Sequence, residues 1–164
     1  MASEGDVLFG DTKEGTMAIR MAPALRLRGK VAAGEVRNSE GVTGKAVWGK
    51  RARWIDYRGP IDGATVGIAL FDHPKNHGQP CRWHARDYGL LAANPFGVHH
   101  FEGKPKGAGG LELKKGSQLR LRYRFLFHDG ELSAEELEKR WARWAKPPEP
   151  EREKKQADRR GEDR

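Results

Sequence analysis

The sequence predicts an all-β fold, a β-sandwich that carries one C-terminal helix. Short apolar runs recur at intervals of roughly 8–12 residues with turn residues between them, as is typical of sandwiches and related large sheets. The chain of 164 residues contains 21 glycines, which interrupt these runs at distances that suit strands better than helices. Helical periodicity is confined to one segment near the C-terminus. Residues 1–146 are therefore expected to form one domain.

The first half of the chain is expected to contain five strands. These are residues 7–9, 17–28, 31–36, 47–57 and 65–71. Pro23 marks a bulge or a sheet edge inside the second strand, because proline cannot donate to a strand ladder. Asp62 and Gly63 predict a tight turn between the last two strands.

The second half is expected to begin with a strand over residues 82–92. A hairpin should follow, with strands at residues 111–114 and 118–128 around the turn at Lys115-Gly116-Ser117. The glycine-rich residues 103–110 lack the ending of a phosphate-binding loop and are expected to form a flexible connector.

One helix of about 12 residues is expected after these strands. Ser133 and Glu136 match a capping box at its start, and Pro147-Pro148 end it. Leu137, Trp141 and Trp144 recur at helical spacing, which favours packing on the sheet over binding to a partner protein. Residues 147–164 hold six acidic and six basic residues, and we expect them to form a disordered charged tail.

The net charge of +8 raises the question of nucleic-acid binding. The tail is charge-balanced, so the excess lies in the folded part, where basic residues alternate with apolar ones in segments 25–28 and 119–125. Alternation of this kind is typical of a strand with one solvated face. Nucleic acid is thus an unfavoured partner. Two less favoured alternatives remain open: a basic sheet that holds an anionic polymer, and a site that recognises a small anion or a sugar acid.

Several classes of protein are not supported by the sequence. Cys81 is the single cysteine and cannot form an internal disulfide. The first 15 residues do not match a signal peptide, and the longest apolar run, residues 65–71, is too short to span a bilayer. We expect a soluble chain with no membrane partner, cytoplasmic by default, although the compartment is not established by the sequence. No serine lies in a nucleophile-elbow motif.

The polar segment of residues 72–96 is the candidate functional surface. Asp72, His73 and Pro74 follow an apolar strand, where binding and catalytic groups are held on a rigid scaffold. Further along, alternation places His84, Arg86 and Tyr88 on one strand face. Such a face can bind a carboxylate or a hydroxylated ring, and His84 can transfer protons near neutral pH. Cross-strand hydrogen bonding without a ligand remains the alternative.

The six histidines also raise the question of a metal site. His73, His77, His84 and the pair His99-His100 could supply three ligands, but their spacings match no recognised zinc pattern. We therefore expect no metal and no other cofactor.

Four segments carry a resemblance to a known family. They are DVLFGDTKEGTMAIRMAP, VWGKRARWIDYRGPIDGATVGIALFDHPKN, WHARDYGLLAANPFG and LKKGSQLRLRYRFLFHDG. In this order they resemble the PmoA-like family, a bacterial domain of unknown function, and the match covers only the C-terminal half of a usual member. The resemblance implies half of a supersandwich-like fold, similar to that of aldose epimerases. The family name suggests methane oxidation, which is not carried over because that enzyme subunit has spanning helices.

The resemblance also implies roles for residues of this sequence. The residues matching its motifs are Arg20, Trp48, Arg53, Trp54, Asp72, His73, Pro74, Asn76, His84, Arg86, Tyr88, Asn94 and Phe96. His73, His84 and Asp72 are the catalytic candidates, with the two histidines moving protons on either side of a sugar carbon. Arg20, Trp54, Asn76, Arg86, Tyr88 and Asn94 are the substrate-binding candidates, with Trp54 as a stacking platform and Arg86 and Asn94 as anchors.

The expected function is that of a carbohydrate-active or carbohydrate-binding protein with a sugar or sugar acid as its ligand. Whether it is an enzyme or a non-catalytic binding or assembly module stays open, and a relation to methane oxygenase rests on the family name alone. If half of a sandwich is missing, exposed sheet edges predict self-association.

Overall fold

The computed structural model of the chain describes residues 3–146. The expected tail, residues 147–164, lies outside the described residues. The described part is mostly β-sheet, with a C-terminal α-helix, as the sequence predicts. The strands are β1 (Val7–Phe9), β2 (Met17–Arg20), β3 (Glu35–Asn38), β4 (Trp54–Ile61), β5 (Ala64–Asp72), β6 (Arg82–Ala85), β7 (Leu90–Asn94), β8 (Leu111–Leu113) and β9 (Tyr123–Asp129). The helices are α1 (Val98–Glu102) and α2 (Ala134–Ala145), with short 3-10 helices at Pro23–Leu25 and Gly44–Val47.

The nine strands form three antiparallel sheets. The largest has the order β3-β4-β5-β9, the second has the order β2-β7-β6, and β1 pairs with β8 in a small third sheet. The expected strand at residues 7–9 is confirmed as β1.

The main hydrophobic core contains residues of both larger sheets. Trp83 and Leu91 come from the three-stranded sheet, and Ile55, Tyr57 and Leu70 come from the four-stranded sheet; all five side chains are buried. Because side chains alternate along a strand, the neighbours of Trp83 and Leu91 lie on the opposite face of the three-stranded sheet. That face carries the candidate site described below.

Helix α2 belongs to a second core on the four-stranded sheet. Leu137, Trp141 and Trp144 pack against Trp54 and Phe71, so the predicted apolar stripe is part of the core. The capping box is confirmed: Ser133 Oγ accepts a hydrogen bond from the Glu136 amide at 3.1 Å, and the Glu136 carboxylate accepts one from the Ser133 amide at 2.7 Å. The helix has 12 residues.

The β4–β5 hairpin follows the local turn signal. Asp62 and Gly63 have φ angles of 51° and 80°, the left-handed conformation that two-residue hairpin turns require. Glycine adopts it without strain, and aspartate is one of the few other residues that tolerate it. The predicted turn is confirmed, and the predicted strand at residues 65–71 lies inside β5.

Three expected strands of the first half have different bounds. The expected strand at residues 17–28 ends at Arg20, because Pro23 begins a 3-10 helix. The strands expected at 31–36 and 47–57 begin only at Glu35 and Trp54. Gly34 explains part of this, since a Cβ atom there would lie 2.1 Å from the Leu25 carbonyl oxygen. The chain just before β3 packs against the loop that follows β2, around Leu25, and is not paired in a sheet.

The expected single strand at residues 82–92 is wrong, because it is the hairpin of β6 and β7. The amide of Arg86 donates to Leu90 O at 2.8 Å, and the amide of Gly89 donates to Arg86 O at 2.9 Å, which closes a turn. Gly89 has a φ angle of 89°, which a continuous strand does not allow.

The expected hairpin at residues 111–128 is also wrong. β8 pairs with β1, and β9 pairs with β5, so the two segments belong to different sheets. The short helix α1 was not anticipated from the sequence.

Candidate functional site

The candidate site lies on the outer face of the three-stranded sheet. His84, Ala92 and Ala18 are directly opposite one another across β6, β7 and β2. Opposed residues project from the same side of a sheet, and Trp83 next to His84 points into the core. The His84 side chain therefore projects away from the core, beside two small alanine side chains, where it is 4% exposed among the rings of Trp48 and Phe101.

A second row of side chains lies two residues further along the same face. Arg20 is opposite Leu90, and Arg86 continues the row through its amide hydrogen bond to Leu90. Tyr88, in the turn, lies near both guanidinium groups, 5.3 Å from that of Arg20 and 5.7 Å from that of Arg86. Distances of this size allow cation–π attraction.

Trp48 lies near a residue of each row. Its ring is 6.0 Å from the Arg86 guanidinium and meets the His84 ring edge-on at 6.4 Å. We call this cluster the arginine–aromatic face; it consists of Arg20, Trp48, His84, Arg86 and Tyr88. The structure thus brings together His84, Arg86 and Tyr88, as the sequence predicts, although a hairpin turn and not one strand holds them.

The hydrogen bonding of His84 fixes the position of its proton. Nδ1 lies 2.9 Å from the Lys13 carbonyl oxygen, which can only accept, so Nδ1 carries the hydrogen and Nε2 keeps its lone pair. Burial is the largest cause that lowers the pKa of His84 below its ordinary value. The ring is therefore neutral near pH 7, and its Nε2 can accept a hydrogen bond or a proton.

The charge of the arginine–aromatic face is mainly positive, although the Glu14 carboxylate is close enough to act on His84. Within residues 3–146, neither Arg20 nor Arg86 forms an ion pair, whereas Arg82 on the same sheet face pairs with Glu102 at 2.5 Å. The indole nitrogen of Trp48 is also buried without a hydrogen-bond partner in that part of the chain. The two free guanidinium groups can bind an anion.

Asp72 and Asn76 have their hydrogen bonds inside the protein. The Asp72 carboxylate accepts from Asn76 Nδ2 and from the Cys81 amide, both at 2.8 Å. Asn76 Oδ1 accepts from the Arg122 amide at 2.7 Å. Burial is the largest cause that raises the pKa of Asp72. These two side chains tie the end of β5 to the chain before β9 and leave little capacity for a ligand.

His73 lies on the other side of the four-stranded sheet from His84. Its Nδ1 accepts from the Lys75 amide at 3.1 Å, and its ring meets that of Trp144 on α2 edge-on at 5.1 Å. Burial, followed by the charges of Arg122 and Lys75, lowers the pKa of His73. The main core and the four-stranded sheet separate the two histidines, so the structure does not bring them to one sugar carbon.

Trp54 and Asn94 are also enclosed. Trp54 is 1% exposed beneath α2, and its Nε1 donates to Glu138 at 2.8 Å. Asn94 is 0% exposed; its Nδ2 donates to the Thr12 carbonyl at 3.0 Å, and its Oδ1 accepts from the Phe96 amide at 2.8 Å. Neither presents a free surface to a ligand, and the aromatic rings around the candidate site are instead those of Trp48, Tyr88 and Phe101.

A buried charged network was missed by the sequence reasoning. Asp56 is 3.0 Å from His128 Nε2 and accepts from the Arg37 guanidinium at 3.2 Å. Gly67 is directly opposite His128, and a Cβ atom at Gly67 would lie 2.2 Å from that ring. The absence of a side chain at Gly67 lets His128 lie across the sheet. Its sequence signal, a glycine within a strand, is weak because it points only to a close approach.

The described residues give two further findings on site chemistry. They contain no group of three or more histidine, cysteine, aspartate or glutamate side chains placed to hold a metal ion. In the same part of the chain, no helix has the length and apolar character needed to cross a membrane.

Fold and site together define a protein of antiparallel β-sheets with a cationic, aromatic surface on its three-stranded sheet. The model of the Family of unknown function (DUF6807) matches residues 1–142. The chain therefore belongs to this family. Neither the curated proteins nor the solved structures contain a match to the chain.

The resemblance to the PmoA-like family is wrong. The matching family is a different one, and its match runs over residues 1–142 rather than indicating the C-terminal half of a longer PmoA-like domain. The expectation of self-association rested on that missing half and stays an untested prediction.

Proposed function

We propose that this protein binds a small sugar acid on the arginine–aromatic face. The observation that carries the proposal is the pair of guanidinium groups, Arg20 and Arg86, which lie 5.3 and 5.7 Å from the centre of the Tyr88 ring and have no ion-pair partner among residues 3–146. Guanidinium groups recognise carboxylates by paired hydrogen bonds. A carboxylate on the ligand would compensate this charge.

The rest of the surface suits a hydroxylated ring. Ala18 and Ala92 are small and leave space beside His84, in the row next to that of the arginines. Trp48 and Tyr88 offer aromatic surface, the Tyr88 hydroxyl offers a donor, and His84 Nε2 offers an acceptor for a hydroxyl group. A sugar carries both apolar C–H surface and hydroxyl groups, which matches this combination.

Two forms of the function remain, a binding module and an enzyme. The neutral His84, with its Nε2 lone pair, favours the second, because such a ring can serve as a general base. In that form His84 works without His73, since the two lie on opposite sides of the four-stranded sheet.

Calorimetric titration tests the proposal with glucuronate, gluconate and uncharged glucose. We expect the two acids to bind and glucose to bind far more weakly. Arg86→Ala should weaken binding of the acids about tenfold, because a charged hydrogen bond is lost. Arg120→Ala removes an exposed arginine outside the site and serves as the matched control. Equal binding of glucose and the acids would contradict the proposal.

His84→Gln separates the two forms. The enzyme form is supported if the wild type converts a bound acid, and if the His84→Gln variant still binds that acid but no longer converts it. If the wild type does not alter any bound acid, detected by NMR of the ligand, the binding module is supported.

We also propose that the two larger sheets pack as a β-sandwich. The support is the shared core, in which Trp83 and Leu91 meet Ile55, Tyr57 and Leu70. Slow amide exchange in both β4 and β7, with a common free energy of opening, would agree with one sandwich core. Independent opening of the smaller sheet would argue against it.

A further inference from the structure

A cleft on the far side of the molecule from the arginine–aromatic face has a different character. It has a volume of about 690 Å³ and lies between the end of β5, the chain entering β9 and the last turns of α2. We call it the basic cleft; the cationic side chains that line it are Lys75, Arg122, Arg124, Arg140, Arg143 and Lys146. Its described lining contains no aspartate or glutamate, and it includes His73, Phe71 and Trp144.

Strand and helix periodicity bring these cations together. Arg122 and Arg124 are two residues apart, and Arg124 is opposite Phe71, whose side chain packs in the α2 core. Both arginines therefore project toward α2. Arg140 and Arg143 are three residues apart on α2 and lie on neighbouring turns. The cleft is where the basic row of the strand meets the basic row of the helix.

The charge of the cleft is mainly positive, although Glu136 on α2 and the cleft residue Arg140 act on each other through their charges. None of its six cationic side chains belongs to an ion pair within residues 3–146, although Glu138 and Glu135 on the same helix pair with Arg53 and Lys139. The C-terminal end of α2 contributes only about half a negative charge. Like charges at this density repel one another, so a multivalent anion would stabilise the folded state.

We propose that the basic cleft binds a small molecule that carries two or more phosphate groups. Several arginines around one concave space can pair with several phosphate oxygens, and the volume lies in the range of about 300–1,000 Å³ typical of small-molecule sites. The cations converge on one cleft and do not form a long stripe, which favours a compact anion over a nucleic-acid strand. This site is separate from the proposed sugar-acid site.

His73 adds a neutral donor to the cleft. Its Nδ1 accepts from the Lys75 amide, so the hydrogen of the neutral ring is on Nε2 and can be donated to a phosphate oxygen. A bound polyanion would offset the charges of Lys75 and Arg122 that act on this ring.

Calorimetric titration of the full chain with pyrophosphate, ATP, adenosine and a 12-residue single-stranded DNA tests the proposal. We expect pyrophosphate and ATP to bind and adenosine not to bind. The double variant R140Q/R143Q should lose at least about tenfold in affinity for both phosphates, since two charged contacts are removed. Glutamine keeps the helix propensity of arginine, and circular dichroism checks that the variant is folded.

K106Q/R120Q is the matched control, because it removes two exposed positive charges outside the cleft. It should change the phosphate affinities by less than about twofold. An equal loss in both double variants, absence of binding by pyrophosphate and ATP, or tighter and steeply salt-dependent binding of the DNA strand would each overturn the proposal. Arg86→Ala should leave phosphate binding unchanged, so a failure of the sugar-acid proposal is recognised separately.

Discussion

At the scale of single residues, the polar side chains considered for the candidate site divide into those that hold the chain together and those that remain free. Asp72, Asn76 and Asn94 are saturated by internal hydrogen bonds. His84 keeps a free Nε2, and Arg20 and Arg86 keep their charges. Chemistry can be expected only from the second group.

Asp72→Asn should destabilise the fold by about 1–3 kcal/mol, because the new amide cannot accept from both Asn76 and the Cys81 amide without placing a donor against a donor. The free energy of unfolding in urea measures this. Asp62→Asn is the control, since asparagine tolerates the left-handed turn conformation at this exposed site. A loss at Asp62 equal to that at Asp72 would contradict the structural role.

His73 and His84 should both titrate below the ordinary histidine pKa of 6.5, because burial disfavours their charged forms. Between that value and the lowered pKa values, the unfolded chain binds protons that the folded chain does not. These two groups therefore make stability fall as the pH drops below 6.5. NMR of the ring protons against pH measures the pKa values, and titration of either ring above 6.5 would contradict the burial argument.

The sequence alone predicted some of the residues that the structure brings together in the candidate site. The alternation of His84, Arg86 and Tyr88 indicated a shared surface, and the structure groups them. Trp54 was expected to be a platform, but whether a tryptophan is open depends on which element covers it, and α2 covers Trp54. That burial is a tertiary property that the residue and its neighbours in sequence do not encode.

At the scale of elements, local signals predicted local structure. Helix α2 and the β4–β5 turn were predicted because a capping box and an Asp-Gly pair act within a few residues. The pairing of β9 with β5 instead of β8 was not predicted, because strand partners far apart in sequence are chosen by the whole core. The break between β6 and β7 depends on Gly89, which lies against Met21, again a tertiary contact.

Ser133→Ala should destabilise the protein by about 0.5–2 kcal/mol, because the Glu136 amide loses its acceptor at the start of α2. Urea unfolding gives the value. Ser117→Ala is a suitable control in an exposed turn and should have an effect within about 0.5 kcal/mol. If the Ser133 variant were as stable as the wild type, the cap would not contribute to the anchoring of α2.

At the scale of the molecule, the two proposed sites lie on opposite sides of the four-stranded sheet. One belongs to the outer face of β2, β7 and β6, and the other lies between the four-stranded sheet and α2. Occupation of one site leaves the groups of the other untouched.

Saturation with pyrophosphate should therefore change the dissociation constant of glucuronate by less than about twofold, and the reverse should hold equally. Sequential calorimetric titrations in both orders measure this coupling. Direct competition between the two ligands would mean that both occupy one site.

The placement of the five tryptophans gives each region its own optical reporter. Trp48 lies in the arginine–aromatic face, Trp83 in the main core, and Trp144 in the basic cleft with the Arg124 guanidinium 5.5 Å from its ring. Trp54 and Trp141 lie in the interface between α2 and the four-stranded sheet. Variants that keep a single tryptophan can thus report on separate events by fluorescence. Trp48 and Trp144 follow ligand binding at the two sites, Trp54 or Trp141 follows release of α2 from the sheet, and Trp83 follows unfolding of the main core.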